Sequence, residues 1–289
     1  MIRFSSILFI LALLSEGCQD KADLLYRDTL TPLELNVSVE GNIYTRSTST
    51  LASGSIGIYL LADNNYAGGL YLYSAISGKW TTGKPLMLNG NNASVCVWYP
   101  YNYRIPANLS ELKTFPLNAQ KYTPDTDLCY QTITGKVNNR NYRLQAQLQH
   151  AYSQIEFRLS RDITFKTAGS VDSITLSAPG LFKGMQLDIT SGTTANGVTG
   201  NVTYIANVTI PASGEAVTAV LLPPATLTGD LKLAFRVDGK NMTATLPLSS
   251  LSKLVAGTKY TVRGVLQRKL NITVTVSPVE GTSGGEIVW

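Results

Sequence analysis

Few residues in this chain could do chemistry. Across 289 residues there is one histidine, His150, and three cysteines, Cys18, Cys96 and Cys129. A metal centre needs several ligands at a workable spacing. One His and dispersed thiols do not supply that, so no metal or other cofactor is expected. His150 stands inside a strand-like pattern and reads as a packed, hydrogen-bonded side chain. Asp125-Thr126-Asp127 sets two carboxylates close together. They could hold calcium weakly, but a solvated loop is the plainer reading. Gly281-Thr282-Ser283-Gly284-Gly285 has the spacing of a nucleophile elbow. That motif needs a strand–turn–helix context and a downstream His, and neither is present. No phosphate-cradling glycine loop precedes a helix. The chain is therefore read as a non-enzyme.

Cys18 has a different context. Arg3 opens a short basic region, and Ile7 to Leu14 is an unbroken apolar run. That run is far short of the roughly 20 residues that cross a bilayer, but it suits a signal peptide over residues 1–17. Gly17 precedes Cys18, and the arrangement resembles a bacterial lipobox. Cleavage before Cys18 would leave its thiol carrying diacylglycerol, and two or more acyl chains hold a membrane stably. Cys96 and Cys129 remain. They could pair in an oxidising compartment. Val95-Cys96-Val97-Trp98 reads as a buried strand, which favours Cys96 as a small core hydrophobe.

Beyond these residues the chain reads as all-β. Charged residues make up 15% and hydrophobic residues 44%, and Thr, Ser, Gly, Asn and Val are abundant. That profile favours strands and turns. The net charge is +5, with basic residues spread out. Arg263, Arg268 and Lys269 come nearest to a patch, and a solvated strand face explains them, so no nucleic-acid partner is expected. Leu33, Leu35, Val37 and Val39 alternate with polar residues, the period of a half-buried strand. Gly41-Asn42 ends the strand, and residues 44–50 read as an exposed connector. Strands follow at 56–61, 70–73 and 95–99. Leu144, Ala146 and Leu148 share one parity, whereas Ile155, Phe157 and Leu159 share the other. A bulge or sharp bend near His150-Ala151 must keep both sets inward. Residues 191–201 read as a loop, and 249–255 as a possible helix. Leu231 to Val237, Asp238-Gly239 and Met242 to Leu248 form a hairpin signal. Many short strands with frequent turns indicate sandwiches.

Four segments, in order, resemble the fimbrillin family of major fimbrial subunits (Mfa-like lipoproteins of the Bacteroidales type). They are the lipobox with Thr45-Arg46-Ser47 downstream; Val95-Cys96-Val97-Trp98-Tyr99-Pro100-Tyr101; Leu148-Gln149-His150-Ala151-Tyr152-Ser153-Gln154-Ile155-Glu156-Phe157; and Asn271-Ile272-Thr273-Val274-Thr275-Val276 leading to a Gly/Glu-rich tail closed by Trp289. Tyr152 and Gln154 stand where the family usually has Leu and Lys.

The resemblance implies two transthyretin-like β-sandwich domains in tandem, over 47–162 and 163–289, behind a lipidated propeptide of residues 18–46. It implies export through the periplasm to the outer membrane, cutting between Arg46 and Ser47 by a trypsin-like protease, and joining of fimbrial subunits by strand exchange. Position by position, Leu33, Leu35, Val37 and Val39 belong to the strand that is removed. Ile272, Val274 and Val276 belong to the donor that refills a neighbour's groove. Burying four such side chains is worth at most about 6–12 kcal/mol. Residues 18–46 hold five acidic and three basic residues, so cutting there raises the net charge by two. The competing reading is a non-polymerising tip adhesin or glycan-binding surface lipoprotein that meets a host or bacterial surface glycan or protein.

Overall fold

A computed structural model of the protein describes residues 29–40, 49–51, 53–62, 66–103, 113–267 and 273–278. Among them there is no α-helix; one 3-10 turn spans Tyr101–Tyr103. The all-β expectation holds. Strands are numbered β1 to β24 along the chain.

The first lobe is built on an eight-stranded sheet. Its order is β3 (Ser49–Thr50), β2 (Glu34–Val39), β12 (Arg143–His150), β11 (Cys129–Val137), β8 (Ala93–Tyr99), β4 (Gly54–Leu60), β5 (Gly69–Ile76) and β6 (Lys79–Thr81). The sheet curls until β6 approaches β2. Its concave face buries Val37, Val39, Ile56, Ile58, Tyr73, Val95, Val97, Leu144, Ala146 and Leu148. A small ribbon of β1 (Thr31–Pro32) and β7 (Met87–Leu88) brings Leu88 into the same core.

The second lobe is a sandwich. One sheet runs β10 (Gln120–Lys121), β18 (Ala216–Leu222), β13 (Ser153–Arg161), β23 (Lys259–Leu266) and β24 (Thr273–Pro278). The other runs β17 (Val202–Thr209), β14 (Ser170–Ser177), β20 (Leu231–Val237) and β21 (Lys240–Leu246). Ile155, Phe157 and Leu159 of β13 meet Ile174, Leu176, Leu233 and Phe235 between them. Phe157 and Phe235 pack edge to face, with ring centroids 5.7 Å apart, a geometry aromatic pairs prefer. β19 (Ala225–Thr226) and β22 (Lys253–Leu254) add a short ribbon. The β20–β21 turn places Asp238 at φ 49° and Gly239 at φ 75°. Two positive φ values in a two-residue loop match the strand twist, which is why Asp-Gly marks hairpins.

A third layer joins the lobes. The sheet of β16 (Thr193–Thr199), β15 (Phe182–Asp188) and β9 (Thr114–Asn118) packs on the convex face of the first lobe. Phe115, Leu117, Met185 and Leu187 there meet Tyr59, Cys96, Trp98 and Tyr130. β8 thus lies between two cores, Val95 and Val97 on one side and Cys96 and Trp98 on the other. That explains its unbroken apolar run, because a strand buried on both faces loses the alternation.

Several expectations need correction. Of the two devices expected near His150, a bulge or a sharp bend, the structure has the bend, at Ala151–Tyr152, where the chain crosses between sheets. β12 ends at His150, Ala151 and Tyr152 sink into the joining core, and β13 starts in the second lobe. Ahead of the expected boundary at residue 162, β13 already pairs with β18 and β23 of the second lobe. Tyr152 anchors the crossing. Its hydroxyl hydrogen-bonds Tyr103, and Gln120 Nε2 donates to it at 3.2 Å. Residues 193–199 form β16 and not a loop; every residue of β16 is exposed, so no apolar alternation betrays it. The possible helix at 249–255 is a turn followed by β22.

On the face of β13 away from its core, Glu156 is 7% exposed. It ion-pairs with Lys259 and, at 2.8 Å, with Arg158. Arg158 and Arg263 both reach Glu215, at 3.4 and 2.9 Å. Burial alone would raise the Glu156 carboxyl, but its hydrogen bonds from Lys259 and Arg158 outweigh that and hold it below the usual range. Its stabilising contribution is present above the unfolded carboxyl value of about 4.3 and is lost as pH falls through the lower folded value. Glu156→Gln should cost about 1–3 kcal/mol near neutral pH, measured by urea unfolding. The gap from wild type should close on acidification; a gap independent of pH would refute the assignment.

Candidate assembly interface

The strand expected to be removable is β2. It lies parallel to β12 in register, with Glu34 opposite Arg143 and Val39 opposite Leu148. Its ends are fastened by Glu34 N donating to Tyr142 O at 3.0 Å and Glu40 N donating to Leu148 O at 2.8 Å. Leu33 N donates to Leu86 O at 2.8 Å. Leu33, Val37 and Val39 are buried and Leu35 half-buried, while Glu34 and Asn36 are exposed. The alternation read from the sequence is thus the inward face of the strand. An exposed ion pair, Arg143 Nε to Glu34 at 3.0 Å, adds little.

On its other side, among the described residues, β2 is hydrogen-bonded to the short β3, paired at Ser38 and Val39, with Leu51 N donating to Val37 O at 3.1 Å. β2 therefore resembles a plug at the end of the sheet. Behind it lie the full edge of β12 and an apolar trough that contains Leu144, Ala146 and Leu148. Without β2, the long edge of β12 and the short β3 would both lose their partner.

The expected donor maps to β24, which carries Val274 and Val276. It pairs antiparallel with β23, Val276 opposite Val262 and Val274 opposite Gly264. There it is the edge strand of the second lobe and approaches β21 of the facing sheet. The plug and the tail therefore belong to different lobes. Cys18, Arg46, Ser47 and Ile272 lie outside the described residues.

The chemistry-bearing residues gather elsewhere. Cys129 and His150 are paired residues on β11 and β12. Cys129 Sγ is 3.3 Å from His150 Nδ1, which is 2.9 Å from Asp127 Oδ2. His150 is packed and hydrogen-bonded as expected, but the three-residue cluster was missed. Its signal is the pairing of β11 with β12, which no local spacing displays. Burial pushes the Cys129 thiol well up, helped by the nearby Asp127 carboxylate. A buried, protonated thiol is a poor nucleophile. Burial also works against a charged His150, but Asp127 and the Glu40 carbonyl outweigh it and shift the imidazole upward. Cys96 and Cys129 are free thiols, both buried. Asp125 and Asp127 diverge: Asp125 is exposed on its loop, while Asp127 joins the cluster. Arg263 ion-pairs with Glu215 at 2.9 Å, and Arg268 and Lys269 lie outside the described residues.

Val37 is fully buried. Val37→Ala should lower unfolding stability by about 1–3 kcal/mol, whereas Asn36→Ala should stay within about 0.5 kcal/mol. Equal effects in chemical denaturation would mean that β2 does not plug the core.

Comparison with known proteins completes the picture. No curated protein matches the chain. Among solved structures, a cell adhesion protein from Bacteroides ovatus superposes with TM-score 0.62 at 15% identity, covering 86% of this chain and 96% of that one. A cell adhesion protein from Bacteroides uniformis gives 0.61 at 17%, covering 86% and 99%. A fimbrial protein from Bacteroides vulgatus gives 0.51 at 14%, again covering 86% and 99%. At these identities the likeness is one of fold. The family model described as fimbrillin-like matches residues 43–278. The chain belongs to the fimbrillin-like family, a family of fimbrial proteins and not of enzymes.

Proposed function

We propose that the chain is a subunit of a cell-surface fimbria, exported as a lipoprotein through Cys18 and assembled when cutting after Arg46 frees β2. A neighbour's tail then takes the vacated place beside β12. The observation that carries this reading is the position of β2: a buried apolar strand beside one long partner, flanked outside by two residues, a few residues ahead of Arg46. An incoming strand can replace both what it hydrogen-bonds and what it buries, as β-augmentation does elsewhere. The tail offers the alternation of Ile272, Val274 and Val276. The Cys18 lipid would leave with the removed segment, so the anchor serves delivery, and the assembled subunit is held by its neighbours.

One observation favours the second reading, a non-polymerising tip adhesin or glycan-binding surface lipoprotein. β24 pairs with β23 of its own chain, so the tail must leave that edge before it can be donated. The two readings separate by experiment. Limited trypsin treatment of the precursor should give a fragment starting at Ser47 and a ladder of oligomers on a gel. Arg46→Ala should block both. Removing residues 272–289 should leave the cut and abolish the ladder. Cutting at Ser47 without oligomers from the full chain would support the tip reading, and resistance at Arg46 would remove the mechanism.

A further inference from the structure

We infer that Asp127, Cys129 and His150 form a zinc site at the seam between the two lobes. Their ligand atoms, one each of carboxylate oxygen, thiolate sulfur and imidazole nitrogen, lie within 4.8 Å of one another. Zinc takes these three donor types at about 2.0–2.3 Å in a tetrahedron, which sets neighbouring ligand atoms about 3.3–3.6 Å apart. The sulfur–nitrogen edge of 3.3 Å already fits. The nitrogen–oxygen edge of 2.9 Å must open by a few tenths of an ångström, and the sulfur–oxygen edge, which lies within 4.8 Å, must close toward the tetrahedral length.

A plain hydrogen-bonded triad would hold the same residues together, but it leaves a loose end. Asp127 is 9% exposed and its Oδ1 has no partner. Unsatisfied buried polar atoms are costly. A bidentate carboxylate on the metal would use Oδ1. Ligation through Nδ1 would leave the imidazole proton on Nε2, for which the Glu40 carbonyl beside the imidazole is the outer partner that ligating histidines usually have. With Asp127 monodentate the fourth position is open to a water; with Asp127 bidentate its Oδ1 takes that position. Asp127 and His150 line a cavity of about 10 Å³ together with Tyr152, Gln154, Leu221 and Lys259, room for roughly one water. On binding, the Cys129 thiol gives its proton to solvent and the sulfur ligates as thiolate. The metal would clamp β11 to β12 one residue before the chain crosses to the second lobe, beside the end of β2.

The test is titration of the reduced full chain with cobalt(II), followed by competition with zinc. One equivalent should raise a thiolate-to-cobalt charge-transfer band in the near ultraviolet, and zinc should bleach it. Cys129→Ser should abolish the band while Cys96→Ser keeps it. Zinc should raise the melting temperature of wild type and not of Cys129→Ser. If Cys129→Ser does not fold, Asp127→Asn serves instead and should weaken cobalt binding by an order of magnitude or more. Absence of the band in wild type, its survival in Cys129→Ser, or unchanged affinity in Asp127→Asn would each overturn the assignment.

Discussion

The pairing of β2 with β12 is the constraint on which the rest of the molecule depends. It joins residues 34–39 to residues 143–148 in parallel, across most of the first lobe's sequence. Parallel neighbours need a long connection, and here that connection is the curled sheet itself. β2 therefore closes the lobe last in space although it comes first in the chain. Its backbone satisfies the edge of β12, and Leu33, Val37 and Val39 complete the trough. A sheet closed by a terminal, weakly flanked strand can be opened without unravelling the strands between.

β12 links this closure to the second lobe. Its inward face holds Leu144, Ala146 and Leu148 behind the plug. Its end, His150, meets Cys129 and Asp127, and the chain then dives through Ala151 and Tyr152 into the joining core. Within a few residues it serves three cores in turn. The expected cost of that route is a run with no stable parity, and the run from Leu148 to Ile155 shows it. The joining core also fixes the lobes through Trp98, which packs edge to face on Phe115 with centroids 5.4 Å apart.

Much of this was legible in the sequence where one face is wet and one dry. The alternation in residues 33–39 and the Asp238-Gly239 turn read directly. Elements failed to read when that contrast was missing. β16 is wet on both faces, so it looked like a loop. The stretch around Ser249, expected as a possible helix, is a turn followed by β22. β13, apolar on one face like any strand, carries no mark of which sheet it joins. Asp127, Cys129 and His150 stayed hidden for a related reason: strand pairing brings them together, and pairing between strands is written nowhere in local spacing. The plug was legible as a strand, whereas its edge position and parallel partner were not.

The most direct test uses a chain that begins at Ser47 and a synthetic peptide of residues 30–40. Peptide binding and unfolding are followed together by fluorescence anisotropy and urea titration. Strand complementation requires that the shortened chain be less stable, that the peptide bind it and restore cooperative unfolding, and that a peptide of residues 272–289 compete for the same place. A shortened chain as stable as the whole one, binding neither peptide, would contradict it.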